Sequence, residues 1–110
     1  MPLRDWDEAN AVAEQTMSSD VEPFDANTIA NAQDLLALCR IYCPTPEVVA
    51  KGYWSTLSIS WPDFELEVFD DRIEVYRFGH QSAIDIWYEQ HLPGQNFSVR
   101  FTDELPKLST

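Results

Sequence analysis

Three glutamates are the side chains of this 110-residue chain with the clearest potential for chemistry. Glu65 and Glu67 lie two residues apart and Glu74 follows a short break, so an antiparallel hairpin places all three on one face. Paired carboxylates act as general acids and bases or hold a divalent cation. A catalytic pair needs a pocket that shifts a pKa, whereas the alternating pattern around these glutamates predicts a flat sheet face.

The histidines and cysteines do not have the spacing of a catalytic or metal site. Cys39 and Cys43 lie four residues apart, and neither His80 nor His91 completes a zinc-ligand pattern with them, so two buried reduced thiols are expected. No serine lies in a G-x-S-x-G elbow, and the three glycines do not form a phosphate-binding loop. We therefore expect no enzyme activity, no catalytic residue, no metal and no cofactor.

Charge is the strongest compositional signal. The chain has 19 acidic and 7 basic residues, which gives a formal net charge of −12 at pH 7. Such a surface repels phosphates and anionic lipids and attracts basic protein surfaces, so we expect a protein partner and neither a nucleic acid nor a membrane. There is no apolar run long enough to span a bilayer and no secretory signal, so a cytoplasmic location is expected. The oligomeric state is not indicated.

Two N-terminal segments have helical periodicity. Apolar residues from Trp6 to Met17 predict a weak helix over residues 5–17, with disorder as the alternative for an acidic arm at 1–24. Residues 26–42 carry a fuller apolar stripe, with Asp25 or Asn27 as the N-cap and two prolines after its end. This second segment is predicted to be the main helix.

From Tyr53 onward the apolar period changes from 3.6 to 2, which predicts an antiparallel meander. Its strands are predicted at residues 53–61, 64–69 and 73–78. Two-residue turns between them make every inward cross-strand pair apolar, and a slip of one residue loses all of these pairs. Because Pro62 cannot adopt the positive φ of the favoured hairpin turns, a wider first loop remains an alternative.

The C-terminal third has mixed signals. Residues 83–92 fit a strand or a helix, and the turn that follows favours a second hairpin with residues 96–102. We therefore predict an α+β domain over residues 25–104, with a loose tail at 105–110. Its architecture is one or two N-terminal helices packed on an antiparallel meander of three to five strands.

The predicted register leaves one face of the sheet away from the 26–42 helix. The candidate partner-binding residues on this face are Glu65, Glu67, Glu74, Tyr76, Phe78 and Trp54. Glu67 and Glu74 lie directly opposite each other, which destabilises a sheet unless something compensates their charges. A solvated face is the plain interpretation, but several aromatic residues beside carboxylates favour an interface, unless the N-terminal arm or the last hairpin covers them.

One stretch resembles known small proteins. A Leu-rich helix with Leu35 and Leu36, then Pro44-Thr45-Pro46, a strand ending at Trp61 and the segments 65–68 and 73–76 resemble small uncharacterised α+β proteins of bacteria and phages. The small acidic form is also similar to antitoxins, immunity proteins and anti-CRISPR inhibitors. These resemblances imply an inhibitor that blocks a nucleic-acid-handling protein, and they transfer no active site.

The leading hypothesis is therefore a non-catalytic acidic module that occupies a basic surface of a nuclease or effector complex. One alternative is a small metal-dependent hydrolase that uses the sheet carboxylates and a histidine. Another is a homodimeric scaffold paired through its aromatic face, although two strongly acidic copies would repel each other.

Overall fold

The structure, a computed structural model, describes residues 3–79 and 84–108. The elements in chain order are α1 (Trp6–Met17), α2 (Ala26–Tyr42), β1 (Val48–Lys51), β2 (Leu57–Trp61), β3 (Phe64–Val68), β4 (Arg72–Phe78), β5 (Ile84–Gln90) and α3 (Val99–Glu104). The five strands form one antiparallel sheet in the order β1-β2-β3-β4-β5. The predicted α+β class, with N-terminal helices before an antiparallel meander, is confirmed. His80 lies outside the described residues.

Both N-terminal helices begin at an aspartate cap. The Asp5 carboxylate accepts the Glu8 N–H at 2.9 Å, and the Asp25 carboxylate accepts the Asn27 N–H at 2.8 Å. These bonds satisfy amide groups that have no partner within the helix. The predicted weak helix is therefore present, and Ala9, Ala13 and Met17 bury its inner side. This packing makes the described part of the N-terminal segment part of the core.

The predicted register of the central hairpins is confirmed. Ile59 pairs with Leu66, and Leu66 pairs with Val75. The wider first loop is not observed, because the positive φ falls on Asp63 (63°) and not on Pro62. Proline at the first turn position and a residue with positive φ at the second are typical of a type II turn, and the pairing of Trp61 with Phe64 shows that two residues close the hairpin.

The boundaries at the start of the sheet differ from the prediction. Residues 53–56 are not strand, since the Gly52 N–H donates to the Thr56 carbonyl at 2.8 Å and closes a turn before β2. The four residues of β1 were not predicted, and they pair with β2 at the edge of the sheet. The first predicted strand is therefore a shorter strand preceded by a turn.

The C-terminal prediction is wrong in part. Residues 84–90 form a strand, but this strand pairs with β4, and the predicted partner at 96–102 contains helix α3 instead. Ser98 caps α3 by accepting the Phe101 N–H at 3.1 Å, and the Phe101 side chain is fully buried. The described tail is anchored, because Leu105 is buried and the Leu108 N–H donates to the Tyr42 carbonyl at 3.0 Å.

The core lies between one sheet face and the helices. Buried side chains of α1 and α2 meet the inward residues of the strands, which include Leu57, Ile59, Leu66, Val68, Ile73 and Val75. Trp87 of β5 is half-buried on the same side and packs edge-on against Phe101 of α3, at 6.2 Å between ring centroids. None of the helices formed by residues 3–79 and 84–108 combines the length and apolar character that a membrane crossing requires.

Candidate protein-binding face

The side of the sheet opposite the core, here called the outer face, carries the chemistry predicted from the sequence. Because side chains alternate along a strand, one set of residues points away from the helices. This set comprises Val48, Ala50, Ser58, Ser60, Glu65, Glu67, Arg72, Glu74, Tyr76, Phe78, Ile84, Ile86, Tyr88 and Gln90. The structure therefore brings together five of the six predicted partner-binding residues. The sixth, Trp54, lies in the loop between β1 and β2.

Glu67 is not available to a partner in the way the sequence suggested. The residue is only 8% exposed, and its carboxylate accepts a hydrogen bond from the Thr56 hydroxyl at 2.5 Å. The loop that leads into β2 closes over it at Gly52, where a Cβ atom would lie 2.6 Å from Glu67 Oε2. Glu67 thus anchors the loop that carries Trp54, and burial changes its role from contact to support.

Glu74 is held by its neighbours on the outer face. Its carboxylate accepts the Arg72 Nε–H at 3.0 Å and the hydroxyl of Tyr76. Arg72 also binds Asp71 at 2.8 Å and lies over the ring of Phe69. These bonds offset the repulsion expected where Glu74 faces Glu67 directly across the β3–β4 pair.

The carboxylates around Tyr76 change the pKa of its hydroxyl. Its partial burial, the bond to Glu74 and the nearby charges of Glu67 and Glu65 raise the pKa of Tyr76 well above its usual value of 10. The phenol therefore stays protonated at neutral pH and donates to Glu74. Its ring presents an apolar surface whose polar end is already satisfied.

Glu65 is the most available carboxylate of the three. It is half-buried, and its described partner is the Ser60 hydroxyl at 3.3 Å. Within the described chain no ion pair engages it, in contrast to Glu74, which is paired with Arg72. The described residues bring no group of three or more His, Cys, Asp or Glu side chains together in a metal-binding arrangement.

The apolar part of the outer face is larger than predicted. Ile84, Ile86 and Tyr88 of β5 are 55%, 58% and 59% exposed, and they continue the surface formed by Tyr76 and Phe78. None of the helices in the described chain packs on this side. The alternation of Ile84, Ile86 and Tyr88 is visible in the sequence, but the same segment also fits a helical stripe, and only its pairing with β4 places these residues on the outer face.

His91 lies next to this surface and has a structural role. Its ring is fully buried, stacks on Phe97 with 4.1 Å between centroids, and places Nε2 3.0 Å from Asp34 Oδ2. Partial burial of Asp34 opposes ionisation, but the bonds from the Gly94 N–H and from His91 outweigh it and lower the pKa of Asp34. The pair joins α2 to the segment after β5.

A cavity borders the outer face, and the two cysteines lie in the core on the other side of the sheet. A cavity of about 560 Å³ lies at the end of the outer face, between Arg72, Glu74, Tyr88 and Leu92. Cys39 and Cys43 are both buried and are not joined by a disulfide bond. Comparison of the chain with protein-family models, with curated proteins and with solved structures found no match.

Proposed function

We propose that this protein is a non-catalytic module that binds a basic surface of another protein through its outer face. The observation that carries the proposal is the exposure of Ile84, Ile86 and Tyr88 beside Tyr76 and the glutamates, on a side that no described helix covers. Clustered apolar side chains on a soluble surface mark contact sites, and flanking charge selects the partner.

Electrostatics favours a partner that handles nucleic acid. A formal net charge of −12 gives the protein the same sign as a phosphate backbone, and basic grooves attract both. The proposed role is therefore that of a cytoplasmic inhibitor of the antitoxin, immunity or anti-CRISPR type, which competes for the groove of a nuclease or effector complex.

In the proposed complex, charged and apolar residues of the outer face contribute to binding in different ways. Glu65 and Glu74 meet Lys or Arg side chains of the partner, while Tyr76, Phe78 and Trp54 supply surface that loses water on binding. Charge of this kind mainly raises the association rate, and desolvated aromatic anchors mainly slow dissociation. Trp54 is 63% exposed and Phe78 is 38% exposed, so both lose contact with water only when a partner binds.

The test compares two variants that change the charge equally. E65K/E74K alters the outer face, and D20K/D103K alters exposed acids elsewhere; each raises the formal net charge by four, from −12 to −8. Glu67 is left intact because it is buried. The protein captured by the wild type from a lysate of its source cells at low salt is purified, and its binding rates are measured against ionic strength.

The proposal predicts different results for the two variants. E65K/E74K should weaken binding about tenfold or more, D20K/D103K should weaken it about threefold or less, and the association rate should fall as salt rises from about 50 mM to about 500 mM. Equal losses in both variants would mean that net charge alone is responsible. A salt-independent association rate would also contradict the proposal.

A further inference from the structure

Strand β5 forms an edge of the sheet, and its unpaired main-chain groups can be located. The Phe69 N–H donates to the Arg72 carbonyl, so even-numbered residues of β4 bond to β3. The His91 N–H donates to the Asp71 carbonyl, so odd-numbered residues of β4 bond to β5. Hydrogen-bonded pairs alternate in an antiparallel ladder, so the even-numbered residues of Ile84–Gln90 point their N–H and C=O groups away from the sheet.

This edge is open, whereas the opposite edge is protected. No hydrogen bond within the described part of the chain engages the outward groups of β5. The strand has seven residues in continuous register with β4 and contains no proline, lysine or bulge, which are common guards of an edge. Its charged residues, Asp85 and Glu89, are both acidic, so they disfavour a neutral or acidic added strand and favour a basic one. At the other edge, β1 has four residues, lies against α1 and ends at Lys51.

The side chains of β5 specify what an added strand would carry. Ile84, Ile86 and Tyr88 offer apolar partners on the outer face. On the other side Asp85 is exposed, and Glu89 is a half-buried carboxylate that accepts the Ser98 N–H at 2.6 Å and its hydroxyl at 2.8 Å. Residues opposite each other on neighbouring strands interact directly, so apolar residues fit the first set and Lys or Arg fits the second.

We infer that the edge of β5 docks an extended segment of a protein partner, in which basic and apolar residues alternate, as a sixth strand of the sheet. Main-chain hydrogen bonds supply affinity in this mode of recognition, and the alternating side chains supply specificity. The inference rests on the proposed function, and it specifies the part of the partner that makes the contact.

The experiment uses the full chain and a defined peptide. The probe, here called the alternating peptide, is an acetylated and amidated octapeptide in which lysine and valine alternate. One control replaces its lysines by glutamates, and the other, the block peptide, places all the lysines before all the valines. Exchange of backbone amide hydrogens is followed by NMR with and without each peptide. With the alternating peptide, the amides of Ile84, Ile86 and Tyr88 should exchange about tenfold more slowly or slower still, because strand addition protects them.

A proline substitution separates backbone pairing from side-chain contact. Ile86→Pro removes an N–H that points away from β4 and leaves the β4–β5 ladder intact, a position at which edge strands tolerate proline. Ile86→Ala is the matched control, since it shortens the same side chain and keeps the N–H. The inference predicts that I86P weakens binding of the alternating peptide about tenfold or more, and that I86A weakens it much less.

Each outcome decides the inference. It is overturned if the three amides are not slowed by the alternating peptide, if the block peptide slows them equally, or if I86P binds as the wild type does. A dimer in light scattering with these amides already protected would also overturn it, since the occupant would then be a second copy. If I86P does not fold, exchange in the wild type decides alone.

The same variants distinguish this inference from the proposed function. If the captured partner loses affinity for E65K/E74K but not for I86P, the outer face binds it and the edge of β5 does not. If E65K/E74K and I86P both lower the affinity for the partner, then the proposed function and the inference about the edge of β5 both hold. If D20K/D103K weakens binding as much as E65K/E74K does while the alternating peptide still protects the β5 amides, the edge docks peptides and the proposed function fails.

Discussion

Gly52 is the position at which a single added methyl group should most disturb the outer face. The backbone there does not have a positive φ, so alanine meets no conformational barrier and the objection is one of space. A Cβ atom at Gly52 would meet Thr56 Oγ1 and lie 2.6 Å from Glu67 Oε2. To admit it, the two side chains must move apart, and the bond between them must lengthen or break.

The size of the effect follows from that hydrogen bond. A hydrogen bond to a buried charged group contributes about 1.5–3 kcal/mol, and replacing glycine by alanine returns about 0.4–1 kcal/mol by restricting the unfolded chain. We therefore expect Gly52→Ala to lower the free energy of unfolding by about 1–2 kcal/mol. Thr56→Ala alone should lower it by about 1.5–3 kcal/mol through loss of the same bond.

A double-mutant cycle tests the reasoning. In the Thr56→Ala background the bond is already absent and the Glu67 carboxylate is free to move, so Gly52→Ala should be neutral or slightly stabilising. The predicted coupling free energy is about 2 kcal/mol, measured by urea unfolding followed through tryptophan fluorescence. A Gly52→Ala variant as stable as the wild type, or a coupling below about 0.5 kcal/mol, would refute the assignment of Glu67 as the support of this loop.

Three further predictions concern titration and turn geometry. The Asp34 carboxyl has a lowered pKa in the folded protein, so its contribution to stability is complete above about pH 5 and is lost as pH falls further. Urea unfolding at several pH values should therefore show a smaller acid-induced fall in the free energy of unfolding for Asp34→Asn than for the wild type. The raised pKa of Tyr76 predicts that one phenol ionises after the others in an absorbance titration, and that Tyr76→Phe removes this last step. Above about pH 10 the free energy of unfolding of the wild type should also fall more steeply than that of Tyr76→Phe. The reason is that the Tyr76 phenol loses its proton in the unfolded chain but keeps it in the folded protein. Because Asp63 has a φ of 63°, thermal unfolding should rank Asp63→Gly at or above the wild type and Asp63→Val about 1–2 kcal/mol below it.

The central meander was predictable because two independent turns imposed the same pattern. With apolar residues at every inward position on both sides of Phe64–Val68, only one register buries them all, and the structure has that register. The N-cap at Asp25 was predictable for a similar local reason. In these segments the turn and cap residues favour the same structure as the burial of the apolar side chains does.

The errors arose where tertiary contacts outweigh local pattern. Residues 96–102 have the composition of a strand, yet Phe97 stacks between His91 and Phe101, and this burial favours a helix capped by Ser98. The burial of Glu67 depends on a loop that approaches it through Gly52, which no strand pattern encodes. The Glu67 site is set by residues at least eleven positions away, whereas the contacts that favour α3 lie within residues 91–101 and include a serine N-cap.

The two-residue turn at Pro62–Asp63 fixes how β2 pairs with β3, and this pairing decides which residues lie on the outer face. Because side chains alternate with period two, a slip of one residue between β2 and β3 would move Leu66 outward and Glu65 inward. The buried face would then hold an unpaired carboxylate, which costs several kcal/mol, so the core strongly rejects the slipped form. The selection that gives the protein a core therefore also places its glutamates outward. Packing within the described chain does not explain why Ile84, Ile86 and Tyr88 are exposed side by side on one strand, and this clustering is the strongest argument for a partner.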